Sequence, residues 1–215
     1  VTRAPDDDPA ALPAPLPLFP LQTVLYPGAR LLLKIFEARY LDLMSRCLRE
    51  QTPFGVVCLR EGREAGEGGT PTRLEAVGAL AWLDEVDAEQ TGILRVRCHG
   101  GRRFRMLAEA ERQPGGLWVA PKVELLATDG ARSPGPAMHG TVKALASAIA
   151  GLQGQGRDPF DGPHRFDDAG WVANRWCELL PIQLAAKQKL MELEDPVIRL
   201  SLVDAFLRDK KVVVG

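Results

Sequence analysis

The chain has 215 residues, 46% of them hydrophobic, and 27 basic against 28 acidic side chains leave a formal net charge of −1. That apolar content suffices for a core in one large domain or two small ones, and the near balance of charge argues against a polybasic membrane binder or a general nucleic-acid binder while leaving room for a local patch. No run approaches the roughly 18 apolar residues of a membrane-spanning helix, and the start, with Asp6, Asp7 and Asp8 among prolines and alanines, is unlike a secretory signal, so a cytoplasmic protein is expected.

Residues 1–15 read as a disordered tail, after which strand signals dominate. Pro17-Leu18-Phe19-Pro20-Leu21 is a strand bracketed by prolines. Proline cannot donate a ladder hydrogen bond, so this strand is expected at a sheet edge or as an irregular one. In Tyr26-Pro27-Gly28 the proline presets φ and the glycine supplies the positive φ of a type II turn. An apolar strand at 31–35 follows, and Phe36-Glu37-Ala38-Arg39-Tyr40 opens a helix. Tyr40, Leu41, Met44, Cys47 and Leu48 recur at helical spacing and form one apolar stripe. By that period Phe36 and Tyr40 read as core, and Glu37 and Arg39 as capping and pairing near the helix start, where Glu37 suits the positive end of the dipole.

Further strands are expected at 54–60, 76–86, 93–100, 104–107 and 118–126. Residues 60–73, crowded with Gly, Glu and Arg, read as a mobile loop. Leu94, Val96 and Cys98 alternate with Arg95, Arg97 and His99, the pattern of a strand with one face in the core. Gly100-Gly101 then reads as a tight turn into the next strand, a hairpin. Between 95 and 105 lie five arginines and no acid. On such a hairpin Arg95 and Arg97, with Arg103 and Arg105 beside them, would form a guanidinium row suited to phosphate or carboxylate. The plainer reading is a solvated edge, or pairing with Asp84, Glu85, Asp87 and Glu89.

Residues 128–137, with Pro134-Gly135-Pro136, have a linker's composition. Residues 138–215 are helical. Val142, Leu145, Ala146, Ile149 and Leu152 form one stripe; Val172, Ala173, Trp176, Leu179 and Leu180 a second; a helix covers 184–193; and Ile198, Leu202, Val203, Phe206 and Leu207 form the last. Asp195-Pro196 is a helix start, an N-cap followed by proline at the first helical position. Four helices with one apolar side each are expected to pack as a bundle.

The four cysteines are scattered through apolar patterns without a C-x-x-C pair, so buried thiols are expected in place of disulfides or a zinc site. Neither a phosphate-binding G-x-x-x-x-G-K-[ST] nor a G-x-S-x-G elbow or S-x-x-K occurs. The expectation is a protein without cofactor, metal site or catalytic residues.

The order of residues from Pro17 to Tyr40 resembles the amino-terminal substrate-binding domain of the Lon ATP-dependent proteases and their stand-alone relatives. Val77-Gly78 resembles the family's "VGT" strand, and the stretch ending Gly101-Arg102-Arg103-Phe104-Arg105 resembles its "V-x-G-x-x-R-F-R-I" hairpin, with His99 and Met106 as departures. Leu179-Leu180-Pro181, Lys187-Gln188, Leu190-Met191-Glu192 and Asp195 with Arg199-Leu200 echo the helical tail of the stand-alone members. The resemblance implies an α+β fold, a PUA-like β-barrel at 16–127 plugged by a helix and followed by an α-helical bundle. It also implies a non-catalytic module that recognises unfolded or extended polypeptide, in protein quality control, with Tyr26, Phe36, Glu37, Arg39 and Tyr40 as peptide-binding residues. The alternatives are RNA or anion binding through Arg95, Arg97, Arg103 and Arg105, or an adaptor for a separate protease.

Overall fold

In the computed structural model, which describes residues 12–61 and 72–213, the chain divides into two units, 1–127 and 128–215. The expected tail at 1–15 and mobile loop at 60–73 lie mainly outside the described residues.

The first unit runs β1 (Leu16–Leu21), β2 (Arg30–Ile35), α1 (Ala38–Glu50), β3 (Phe54–Glu61), β4 (Arg73–Gln90), β5 (Ile93–Met106), β6 (Glu111–Arg112), β7 (Trp118–Ala120) and β8 (Val123–Leu125). They form one mixed sheet in the order β2-β5-β4-β3-β1-β7-β6, with β8 also on β5. Among the described residues only β1 and β3 pair parallel. The sheet curls into a half-barrel because β4 and β5, at 18 and 14 residues, are interrupted by register shifts that bend them. Its centre is filled by Leu16, Leu18, Val57, Leu80, Phe104 and Ala120. The barrel-plus-bundle α+β architecture expected from the sequence is the one observed.

Two local readings are corrected. The proline-bracketed strand β1 is interior, between β7 and β3. The partners overlap little: β7 takes positions 16–18 and β3 takes 18–21, so each proline has a partner strand on one side only. Second, Gly100-Gly101 is no turn, since β5 continues through it, with a register shift against β4 between Gly100 and Arg103. The hairpin between β4 and β5 instead closes at Thr91-Gly92, where Gly92 has φ 79°. The glycines serve close approach. Gly100 donates to the Ala29 carbonyl at 2.8 Å and accepts from Gly28 N–H at 2.7 Å, and a Cβ on it would collide with the Tyr26 carbonyl oxygen. At Gly101 a Cβ would meet the Trp82 indole nitrogen at 2.9 Å.

The second unit contains a short 3-10 turn (Pro136–Met138) and α2 (His139–Gly154), α3 (Ala169–Leu179), α4 (Leu184–Glu192) and α5 (Pro196–Asp209). Helix α3 packs against the other three and is buried from Ala169 through Cys177. Asp168 caps it, accepting from Gly170 and Trp171 N–H at 2.9 and 3.2 Å. Asp195 caps α5 as expected, accepting from Val197 and Ile198 N–H at 2.8 and 3.1 Å.

The α5 stripe is corrected too. Ile198 and Leu202 face solvent, while Arg199, Leu200, Val203, Asp204 and Leu207 face inward. The inward polar groups are satisfied. Arg199, 1% exposed, donates to both oxygens of Asp129 at 2.6 and 3.2 Å, to Asn174 at 3.0 Å, to the Leu190 carbonyl at 3.0 Å and to the Leu193 carbonyl. Asp204 accepts from Thr141 at 2.5 Å and from Arg208 at 2.7 Å. Burial pushes its carboxyl pKa up, but those two hydrogen bonds and the Arg208 charge outweigh it and hold the group below its ordinary value.

Two substitutions test this account. Gly100→Ala is expected to cost about 1–3 kcal/mol by overpacking, read as a lower urea midpoint by circular dichroism, and an unchanged midpoint contradicts the close-approach role. Arg199→Met is expected to cost about 3–5 kcal/mol because it takes the charged partner from the largely buried Asp129 carboxylate. Adding Asp129→Leu is expected to recover part of the loss.

Candidate functional site

Strand β2 terminates the sheet order, and among the described residues β5 is its one partner strand. Side chains alternate along it. Leu31, Leu33 and Ile35 are half-buried or buried, while Leu32 (68% exposed), Lys34 and, just past the strand, Phe36 (61% exposed) stand in solvent. Leu32 and Phe36, four residues apart, are thus separated by about 13 Å on one side of an extended segment. The Gly100–Ala29 hydrogen bond sets the pairing phase: counting by twos puts Leu31 and Leu33 in bonded pairs with β5 and turns the Leu32 N–H and C=O to the outer side.

The residues after Phe36 are held firmly. Glu37 ends the extended segment as the N-cap of α1, with φ −80° and ψ 132° and no side-chain capping bond. Its carboxylate is taken instead by Arg39, Nη2 to Oε2 at 2.5 Å. Arg39 also donates through Nη1 to the Gly116 carbonyl at 2.8 Å and lies 4.8 Å from the Tyr40 ring centroid. Tyr40, 4% exposed, stacks on Phe19 at 4.1 Å. One arginine therefore ties the start of α1 to the turn between β6 and β7, and the aromatic pair ties the helix to the sheet.

The five residues expected to contact peptide separate by role. Tyr26 (0% exposed) and Tyr40 are core. Glu37 and Arg39 form an ion pair that shapes the local backbone. Phe36 alone presents an exposed apolar surface, which corrects its reading as core: the helix starts two residues later, at Ala38, so helical period does not apply to it. Leu32 was missed. Lys34 carried the signal, because a strand that puts a lysine in water puts the residues two before and two after it on the same side.

The arginine row does not assemble. Arg95, Arg97, Arg103 and Arg105 lie on one strand, so its ends are ten residues and about 33 Å apart instead of side by side. Arg97 pairs with Glu85 at 3.4 Å, His99 with Asp84 at 2.6 Å and Arg105 with Glu124 at 3.9 Å, while Arg95 stands opposite Asp87 in the ladder. Arg103 is 2% exposed and donates to the Ala127 carbonyl at 3.3 Å.

Burial pushes the thiols of Cys47 and Cys58 up to about 11 and that of Cys98 to about 12, so none is a thiolate near neutral pH. Burial also pushes Glu178 up to about 7, against the attraction of Arg175, with which it forms an ion pair. Among the described residues no group of three or more His, Cys, Asp or Glu is placed to hold a metal, and no helix is long and apolar enough to cross a membrane.

Comparison with known proteins matches residues 15–209 to the ATP-dependent protease La (LON) substrate-binding domain. A crystal structure of a Lon N-terminal domain protein from Xanthomonas campestris is 31% identical, with 88% of this chain and 96% of that one covered and a TM-score of 0.68. The N-terminal domain of Mycobacterium avium complex Lon protease, at 18% identity, 90% and 98% coverage and a TM-score of 0.58, shares the fold. No curated protein matches the chain.

Replacing Arg39 with Met is expected to cost about 1–3 kcal/mol, since the Gly116 carbonyl loses its charged donor. Hydrogen exchange is expected to quicken at the Gly116 amide, which donates to Gln113 in the same turn. Unaltered exchange there removes the tie.

Proposed function

The chain belongs to the ATP-dependent protease La (LON) substrate-binding domain family, and from that premise we propose that it is a non-catalytic module that captures unfolded or extended polypeptide at β2. The observation that carries the reading is the exposure of Leu32 and Phe36 on a strand that ends its sheet. An extended segment laid beside such a strand gains main-chain hydrogen bonds regardless of its sequence, and alternate side chains supply selectivity. Leu32 and Phe36 then select apolar residues spaced four apart in the captured segment.

This mode suits protein quality control. Unfolded chains differ in sequence but share backbone groups bonded only to water and exposed apolar groups, the two things an apolar sheet edge reads. The ion pairs of Arg97 and Arg105 and the burial of Arg103 weaken the competing reading of an anion or RNA site on β5. An adaptor role for a separate protease uses the same surface, with a folded partner in place of an unfolded one.

Fluorescence polarisation with a labelled peptide of alternating apolar residues tests the proposal. Micromolar binding is expected, and Leu32→Ser and Phe36→Ser are each expected to weaken it about three- to tenfold, the loss of roughly 1 kcal/mol of apolar contact. Both side chains are exposed, so thermal stability is expected to hold within about 0.5 kcal/mol. No binding at high micromolar peptide overturns the proposal. Undiminished binding by the double variant moves the site away from β2.

A further inference from the structure

Helix α5 carries a second exposed apolar line, in the other unit and independent of β2. Ile198 and Leu202 are 54% and 50% exposed, and Ser201 and Ala205 are exposed beside them. Positions 198, 202 and 205 follow the i, i+4, i+7 spacing of a helix–helix seam. The opposite side of α5 is occupied by the Arg199 and Asp204 networks, so this line is a separate face of the helix.

The charges at the two ends of α5 specify what fits the seam. Glu192, Glu194 and Asp195 stand at its start, and Arg208, Asp209, Lys210 and Lys211 at its end, where Asp209 pairs with Lys210 at 3.0 Å and the end keeps a net positive charge. A partner helix running parallel with the same polarity meets like charge at both ends, whereas an antiparallel one meets opposite charge at both. Antiparallel helix dipoles add in the same sense. A second copy of α5 has the required length, the required polarity and an identical apolar line.

We infer that this face is a homodimer seam, in which α5 packs antiparallel on α5 of a second copy about a two-fold axis near Ser201 and Leu202. In that register Ile198 lies over the small Ala205 of the other copy, so large meets small on both sides of the axis. Asp195 lies near the other Arg208, and Glu192 near the other Lys211. Because Asp195, Glu192 and Arg208 also pair within their own copy, with Arg132, Lys189 and Asp204, these charges set orientation more than affinity. The 14-residue helix is about 21 Å long, and one helix pair of that length covers well under the roughly 800 Å² per partner of a stable complex. The dimer is therefore weak and concentration-dependent.

Sedimentation equilibrium of the full chain is expected to show monomer at about 10 μM and a growing dimer fraction toward about 1 mM, a range set by the small seam. Leu202→Glu is expected to hold the protein monomeric throughout with an unchanged circular dichroism spectrum. Because all four native cysteines are buried, Ser201→Cys gives a clean probe. A short bismaleimide is expected to join it to its twin, while Ser45→Cys, on the exposed side of α1, stays unlinked. A protein that remains monomeric at 1 mM overturns the inference, as does a dimer unaffected by Leu202→Glu or linked equally through position 45. Peptide binding at β2 is read in a separate assay, so either result stands without the other.

Discussion

The Tyr26 carbonyl lies where any side chain at position 100 would have to be, and the geometry of the candidate site follows from that contact. Because residue 100 is glycine, the segment before β2 closes onto β5 through two short backbone hydrogen bonds. That contact fixes the phase of the β2–β5 ladder. A one-residue slip would exchange the two faces of β2, burying Leu32 and Lys34 and exposing Leu31, Leu33 and Ile35. The side chain missing at position 100 thus decides which residues of the neighbouring strand meet solvent.

Much of this unit was legible in the sequence. Proline and glycine punctuation and the alternation along β5 placed most strands, and the residues from Pro17 to Tyr40 carried the family. The failures share a physical cause. Gly-Gly is used both for tight turns and for close backbone approach, and only the neighbouring segments, here at Tyr26 and Trp82, distinguish them. Prolines exclude a strand from the middle of a full ladder, but β1 has two partial ladders that meet at Leu18. Phe36 was assigned by a helical period that starts only at Ala38, although Lys34 held the strand parity that exposes it.

The helical unit was misread where its core is polar. Helix α5 is apolar on two sides, and periodicity alone favours the side richer in large apolar residues. The side that turns inward is chosen by Arg199 and Asp204, whose partners Asp129 and Thr141 lie 70 and 63 residues away in sequence. A buried guanidinium with acceptors for its fork costs little once every donor is used. No local pattern announces those acceptors, since two of them are the backbone carbonyls of Leu190 and Leu193. The apolar side left over is then an outer surface.

Both apolar faces are narrow, and that bears on what they do. An open strand edge with large exposed apolar groups invites association with other edges unless a charge interrupts it. On β2 Lys34 stands between Leu32 and Phe36, so a second copy laid antiparallel along the same edge brings two lysines close together, a like-charge penalty that a captured peptide without a cation at that place does not meet. On α5 the apolar line is bounded at its ends by opposite charges, an arrangement that favours its own copy run in reverse. On the proposed reading, one face therefore disfavours self-pairing and the other accepts it, so that extended segments captured at β2 would not compete with a dimer formed along that edge.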